Sequence, residues 1–179
     1  MSIPPVHHWL AGDDFNADRM NEIGDSINWI RNAPMTHVAR RSTGQSIGVA
    51  NTWTKISFDT VFNSYDPYDF FDAGTPDQLT ITEAGWYSFE ISFSGVITTD
   101  TRIIIGLFKN GFTTNELLFR YDQTTLPTGN NINIRKESSL FFNAGDWLHY
   151  GVHCQAATFT TAITSDADCC ALRIRWVSN

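Results

Sequence analysis

The clearest pattern in this chain lies in residues 86–93, where apolar and polar residues alternate strictly from Tyr87 to Phe93. The polar positions are Ser88, Glu90 and Ser92, and the apolar positions are Tyr87, Phe89, Ile91 and Phe93. Successive side chains of a strand point to opposite faces, so a period of two residues is typical of a strand. The segment therefore predicts an antiparallel strand with one buried face.

Comparable segments recur after residue 46, and turn-forming residues such as Gly74-Thr75-Pro76 and Gly129-Asn130 separate them. The further predicted strands are Trp53–Phe58, Gln78–Ile81, Arg102–Lys109, Leu117–Tyr121, Asn131–Phe142, Trp147–Cys154 and Ala171–Val177. Because no helical pattern lies between them, they predict a mostly β fold, either an antiparallel β-sandwich or a barrel.

A different period marks residues 16–33, where apolar residues recur at spacings of three and four. The spacing predicts one N-terminal α-helix that begins after the N-cap residue Asn16 and ends before Pro34. Its apolar seam consists of Met20, Ile23, Ile27 and Ile30. Two interpretations stay open, because such a seam either joins several copies of the helix or packs one helix on its own domain. With about two heptads and the helix-weakening Gly24, the helix could not hold an oligomer together alone.

The change of period divides the chain near residue 45. We expect residues 1–36 to form an N-terminal docking segment with a short trimerising helix, residues 37–45 to form a linker, and residues 46–179 to form the β domain. Residues 1–8 carry neither the basic nor the apolar region of a signal peptide, so we expect synthesis in a reducing cytoplasm. The three cysteines do not form a disulfide framework, although Cys154 could pair with Cys169 or Cys170 after release.

Composition argues against three classes of protein. The formal net charge is −7 and no basic run is longer than two residues, as at Arg40-Arg41, which argues against a nucleic-acid binder because an acidic surface repels phosphates. No stretch approaches the roughly 18 apolar residues of a membrane-spanning helix. The aromatic content of 13% also argues against a disordered chain.

Four short motifs follow one another in the β region. They are Phe58-Asp59 after a predicted strand, Gly85-x-Tyr87-x-Phe89, Asn110-Gly111 after a hydrophobic strand, and Gly145-Asp146 before the next strand. In this order, over residues 46–178, they resemble the C1q/TNF-like family. The resemblance implies an antiparallel jelly-roll β-sandwich, and proteins of this fold are typically homotrimers.

The residues of these motifs also suggest structural roles. We expect Gly85 to allow a turn where a side chain would clash, and Asn110-Gly111 to close a hairpin. We expect Asp146 to accept hydrogen bonds from nearby backbone N–H groups. A sandwich this rich in Phe and Trp should also keep apolar surface on one sheet, which trimerisation would bury. Three copies would then bring three helices together at high effective concentration.

The N-terminal segment carries a second resemblance. The run Trp9-Leu10-Ala11-Gly12-Asp13-Asp14-Phe15, with the helix start that follows, looks like the opening of many tailed-phage structural proteins. The resemblance implies a virion protein in which Trp9, Leu10 and Phe15 dock on the particle while the jelly roll is displayed outward.

The expected function is therefore a non-enzymatic structural protein of the bacteriophage head or tail: a fibre, a decoration or a minor tail component. Its expected partners are two further copies of itself, other virion proteins through residues 1–36, and a glycan of the host surface in an attachment role. No nucleic acid and no membrane insertion are expected.

A loop-rich stretch after residue 62 holds the candidate ligand residues. They are Tyr65, Asp66, Tyr68, Asp69 and Asp72. In one interpretation the acids form turns and face solvent, and in the other they bind Ca²⁺, although the EF-hand spacing is absent. No other cofactor or metal is expected, since His149 and His153 would lie roughly 13 Å apart on one strand face.

Two alternative functions stay open. A carbohydrate-binding module would recognise bacterial envelope glycans through aromatic residues such as Tyr65, Tyr68 and Trp86. A polysaccharide hydrolase would use paired carboxylates. The sequence contains no Gly-x-Ser-x-Gly, P-loop or His-Glu-x-x-His motif, so we expect no enzyme.

Overall fold

The computed structural model describes residues 35–40, 42–47, 50–62, 69–96, 101–126, 131–155, 159–161 and 170–178. Three predicted features lie outside these residues and stay predictions: the helix with Met20, Ile23, Ile27 and Ile30, the docking residues Trp9, Leu10 and Phe15, and the loop residues Tyr65, Asp66 and Tyr68. In the part of the chain that is described, no helix has the length and apolar character needed to cross a membrane.

Short and long strands dominate the described residues. In chain order they are β1 (Met35–Ala39), β2 (Ser46–Ile47), β3 (Thr52–Lys55), β4 (Thr60–Val61), β5 (Leu79–Thr80), β6 (Gly85–Val96), β7 (Thr101–Lys109), β8 (Leu117–Leu126), β9 (Asn131–Phe142), β10 (Trp147–Cys154), β11 (Phe159–Thr161) and β12 (Ala171–Ser178). One turn of 3₁₀ helix, Thr114–Glu116, lies between β7 and β8. Every described strand pair is antiparallel.

The larger sheet, sheet I, is built around β6. Strand β9 pairs with β6 from Gly85 opposite Phe142 to Val96 opposite Asn131. Strands β12 and β11 pair with the other edge of β6, and β1 and β2 extend the sheet beyond them. Strand β4 lies beside β1. The described strands of sheet II follow the order β3-β10-β7-β8, and β5 also pairs with β10.

The two sheets share one hydrophobic core. Tyr87, Phe89, Ile91 and Phe93 of β6 are all buried in it, as their alternation predicted. The Phe89 ring of sheet I packs edge-on against Phe119 of sheet II, with 5.3 Å between centroids. Across the core, the Tyr150 hydroxyl of sheet II donates to the backbone oxygen of Ser92 in sheet I over 2.9 Å. These contacts make the molecule a β-sandwich.

Residues 37–39 do not belong to a linker, contrary to our expectation for residues 37–45. They lie in β1, which pairs with β12 from Met35 opposite Arg175 to Ala39 opposite Ala171. The reason is that β1 is stabilised by tertiary pairing: its hydrogen bonds come from β12, near the other end of the chain. Its own sequence therefore gives only a weak indication of a strand. The described sheet therefore begins at Met35 rather than at residue 46.

Asn110-Gly111 lies in the hairpin connection between the antiparallel partners β7 and β8, but these two residues do not form the connection alone. Strand β7 ends at Lys109 and β8 begins at Leu117, so residues 110–116 connect them. The Glu116 carboxylate caps the 3₁₀ turn by accepting from the Thr113 backbone N–H over 2.7 Å. A Cβ at residue 111 would overlap that carboxylate, so Gly111 permits the close approach.

Candidate oligomerisation face

The polar residues of β6 project from sheet I on the side away from the core. Cross-strand register adds residues of the neighbouring strands to the same side; Glu137 of β9 and Arg173 of β12, for example, both lie opposite Glu90. We call this surface the open face. It comprises Met35, Trp86, Ser88, Glu90, Arg135, Glu137, Ser139, Phe141, Arg173, Arg175 and Val177.

One end of the open face carries a patch of large exposed hydrophobic side chains. Trp86 and Phe141 lie opposite each other on β6 and β9, exposed by 47% and 45%, with their rings edge-on and 6.0 Å apart. Val177, exposed by 48%, lies in the irregular stretch of β12 next to Trp86. We call these three residues the aromatic patch. Exposed apolar side chains that cluster in this way mark a contact surface more often than isolated ones do.

The middle of the open face carries paired charges. Glu90 accepts a hydrogen bond from Arg135 over 2.6 Å and lies 4.0 Å from Arg173. Next to it, Glu137, Ser88 and Arg175 line part of a shallow cavity of about 410 Å³. Because acids and bases alternate here, the surface can pair with a second copy of itself.

The motif residues lie in the turns and the core of the sandwich, not on the open face. Asn110 and Asp146 hydrogen-bond to each other over 2.7 Å, which joins two of the four motifs. Asp59 accepts from the backbone N–H groups of Ser42 and Thr43 at 3.0–3.1 Å, so it anchors the turn after β1.

The glycines of the motifs have different surroundings. A Cβ at Gly85 would lie 2.6 Å from the backbone oxygen of Ser178 and from Nε1 of Trp176, so a side chain does not fit there. Gly145 adopts a φ of +88°, a left-handed conformation that favours glycine. Both glycines therefore have structural roles: Gly85 permits close packing, and Gly145 permits the left-handed backbone conformation.

Two acids of the predicted ligand loop are described, Asp69 and Asp72. Asp72 accepts a hydrogen bond from the Gly74 backbone N–H over 2.8 Å, which forms a turn. Asp69 is exposed and has a positive φ of 51°. Asp77, further along, pairs with Lys55 at 3.1 Å. Among the described residues there is no group of three or more His, Cys, Asp or Glu side chains that could hold a metal ion.

The histidines of β10 and the two described cysteines are partly or fully buried. Burial lowers the pKa of His149 and of His153, so both imidazoles favour the neutral form. Cys154 and Cys170 are buried, and the Cys170 thiol donates to the backbone oxygen of Ser94 over 3.3 Å. Cys169 lies outside the described residues.

Trp86 is a strand residue, as predicted for residues 86–93. It lies at the second position of β6 and contacts Phe141, a residue that the sequence did not single out. The signal for both was present: each is a large aromatic residue at a position where the strand alternation calls for a polar one. Only the register of β6 with β9 shows that the two positions are adjacent.

No protein-family model and no curated protein matches this sequence. Solved structures do match. The structure of Eiger TNF from S. frugiperda is 12% identical, with a TM-score of 0.61, and the match covers 82% of this chain and 94% of that chain. The globular domain of zebrafish complement 1qA protein is 12% identical, with a TM-score of 0.55 and coverage of 82% and 99%. Murine APRIL at pH 5.0 is 11% identical, with a TM-score of 0.56 and coverage of 81% and 99%.

These likenesses show that the chain has the C1q/TNF-like jelly-roll fold, which confirms the prediction from the order of the motifs. At 11–12% identity they show the fold alone.

Proposed function

We propose that this chain is a non-enzymatic homotrimeric jelly-roll module whose copies meet through the open face. The observation that carries the proposal is the aromatic patch. Of the five exposed large hydrophobic residues among the described ones, three lie together there: Trp86, Phe141 and Val177. Burying such side chains against another copy removes apolar surface from water, which is the main driving force for association.

Three further features support self-association. The charges beside the patch have both signs, so a second copy can supply a complement to each. The resemblance to a fold whose members are typically homotrimers favours three copies over two. The predicted helix seam of Met20, Ile23, Ile27 and Ile30 would add a short bundle once the jelly rolls assemble.

The biological role that we propose is that of a bacteriophage structural protein. The N-terminal segment, with Trp9, Leu10 and Phe15, would attach the trimer to the head or tail of the virion and leave the jelly roll outward. This role is supported by the resemblance of residues 9–21 to the opening of tailed-phage structural proteins.

Multi-angle light scattering of the full chain at micromolar concentration tests the assembly. We expect a species of three times the chain mass of 20.2 kDa. The double variant Trp86→Ser/Phe141→Ser should shift that species to the monomer. The matched control is Leu118→Ser, which removes an exposed apolar side chain from sheet II and should leave the mass unchanged.

Two outcomes would contradict the proposal: a wild-type monomer, or a trimer that the double variant leaves intact. The virion role needs a separate test. Antibody raised against residues 35–178 should label intact particles in electron micrographs, and a protein that lacks residues 1–34 should no longer be incorporated. Particles without label would exclude the virion role while leaving the trimer unaffected.

A further inference from the structure

The outer side of sheet II, away from the core, carries a cavity of about 430 Å³. Three of its lining residues lie opposite one another on neighbouring strands: Trp53 on β3, His153 on β10 and Ile104 on β7. Asp122 of β8 continues this row, opposite Ile104. The volume lies within the range of small-molecule sites. All of these residues come from one chain and from the sheet opposite the open face, so the site does not depend on the proposed trimer.

Two arginines flank this row and share one carboxylate. Arg102 donates to Asp122 through Nε over 2.6 Å and through Nη2, and Arg120 donates to the same carboxylate through Nη2 over 3.0 Å. Hydrogen bonding from Arg102 lowers the pKa of Asp122, so that carboxylate stays charged. Two cations against one anion leave a local charge of +1 in a chain whose net charge is −7. Such a site attracts an anion.

Arg120 is the cation that is better placed to meet a ligand. Its side chain is 48% exposed. Its contact with Asp122, as described, uses only one of its three nitrogens, Nη2. A guanidinium has several further N–H donors in a planar arrangement, which matches the two oxygens of a carboxylate. Asp122 therefore fixes the position of Arg120 and leaves it able to bind a second acid.

Trp53 gives the cavity an aromatic wall whose position is fixed by its neighbours. Its ring packs edge-on against Phe108 at 4.9 Å and against His153 at 5.4 Å. A Cβ at residue 106 would lie 3.1 Å from the Trp53 ring and 2.7 Å from Cδ1 of Leu117, so Gly106 makes room for the side chains that line the cavity. An aromatic wall beside a cation suits a ligand with one flat apolar face and one acidic group.

Polar side chains at the rim complete the site. Asn51 and Gln155 both line the cavity. Their backbones are anchored. The Asn51 backbone N–H donates to the backbone oxygen of Cys154 over 2.8 Å, and the Gln155 backbone N–H donates to the backbone oxygen of Arg102 over 3.1 Å. Amide side chains both donate and accept, as hydroxyl groups do, so they match a ligand that carries several hydroxyls.

We propose that this cavity binds a sugar residue that carries a carboxylate. The carboxylate pairs with Arg120, the C–H face of the sugar ring lies against Trp53, and the hydroxyls meet Asn51 and Gln155. A sugar that carries a carboxylate can contact the cation, the aromatic wall and the amides at the same time. A simple carboxylic acid would have no hydroxyls for the amides to bind.

The test measures the ¹⁵N-labelled tryptophan indole signals of the full chain by NMR while sugars are added. The probes are glucuronate, galacturonate and N-acetylneuraminate, with glucose and galactose as neutral counterparts and acetate and inorganic phosphate as plain anions. At least one acidic sugar should move the Trp53 signal, assigned with Trp53→Phe, at millimolar concentration. It should bind about tenfold more tightly than the neutral sugars and the plain anions.

Arg120→Gln should weaken that binding by about tenfold. The matched control Lys136→Gln removes the same charge from β9, where the ammonium lies over the Tyr121 ring, and should leave binding unchanged. The proposal is overturned if none of the three acids moves the Trp53 signal, if neutral sugars or phosphate bind equally well, or if both variants weaken binding equally. The comparison among sugars uses the wild-type protein, so it decides even if a variant fails to fold.

Discussion

Asn110 and Asp146 hold together two turns that are 36 residues apart in the sequence: Nδ2 of Asn110 donates to Oδ1 of Asp146 over 2.7 Å. Oδ1 of Asn110 accepts in turn from the backbone N–H of Trp147 over 2.9 Å. The Asp146 carboxylate also accepts from the Asn143 backbone N–H at 2.8 Å and from Lys109 at 3.3 Å. The Asn-Gly and Gly-Asp motifs thus form a single hydrogen-bonded junction at one end of sheet II.

Removing the Asp146 carboxylate should destabilise the fold. We expect Asp146→Ala to lower the free energy of unfolding by about 2–4 kcal/mol, because it leaves the donors of Asn143 and Asn110 without their acceptor. Urea denaturation followed by tryptophan fluorescence measures the loss. The control Asp72→Ala removes an exposed carboxylate that accepts one bond from Gly74, and should cost less than about 1 kcal/mol. Equal losses in the two variants would show that the junction is not important for stability.

The junction should also weaken in acid. Burial raises the pKa of Asp146, but hydrogen bonds from Asn143, Asn110 and Lys109 together lower it by a larger amount. The pKa therefore lies below its usual value. A carboxyl group whose pKa is depressed by folding stabilises the fold above its unfolded pKa of about 3.9, and this contribution disappears as the pH falls through the folded pKa. The stability difference between wild type and Asp146→Asn should therefore be constant above about pH 5 and shrink below about pH 4. A difference that grows in acid would contradict this assignment.

The long strands could be predicted from the sequence because their local pattern and their tertiary environment agree. Strand β6 has one buried face, and β9 and β10 have the predicted ends at Asn131, Phe142, Trp147 and Cys154. The short strands β1, β2 and β4 could not be predicted. Each has only two to five residues, and its hydrogen bonds come from distant partners rather than from a local pattern.

The open face could be predicted only in outline. Aromatic richness indicated that apolar surface would remain on one sheet, and Trp86 was visible as an aromatic residue among polar ones. The positions of Phe141, Arg135 and Arg173 around β6 depend on pairings with β9 and β12. The alternation within each strand disfavours a register shift of one residue, which would place these side chains in the core. It does not specify that β9 and β12 are the strands that pair with β6.

Gly85 should not tolerate even a methyl group. A Cβ there would meet the backbone oxygen of Ser178 and Nε1 of Trp176 at 2.6 Å, where β6 begins beside the end of β12. Since backbone atoms move less readily than a flexible side chain, we expect Gly85→Ala to cost about 2–4 kcal/mol. Gly74→Ala is the control, because its nearest contacts are the exposed Asp72 oxygens at 3.3 Å. Thermal unfolding of both variants measures the difference, and equal midpoints would contradict the close packing at Gly85.

The hydroxyl of Tyr150 should contribute to stability by linking the two sheets. It donates to the buried backbone oxygen of Ser92 over 2.9 Å, so we expect Tyr150→Phe to cost about 1–2 kcal/mol. Tyr87→Phe is the matched control. The Tyr87 hydroxyl donates over 2.6 Å to the backbone oxygen of Glu83, an exposed residue where water can replace the hydroxyl, so this change should cost less.

The same hydroxyl gives a second measurement on the wild-type protein. Burial raises the pKa of Tyr150 well above 10, because the phenolate would lose its water. A tyrosine whose pKa is raised by folding stabilises the fold below the unfolded pKa, and this stability is lost as the pH rises above about 10. Absorbance at the wavelength of phenolate should therefore show the Tyr150 ionisation only together with unfolding, and this ionisation should be missing in Tyr150→Phe. A Tyr150 that titrates near its ordinary pKa while the protein stays folded would mean that water reaches the space between the sheets.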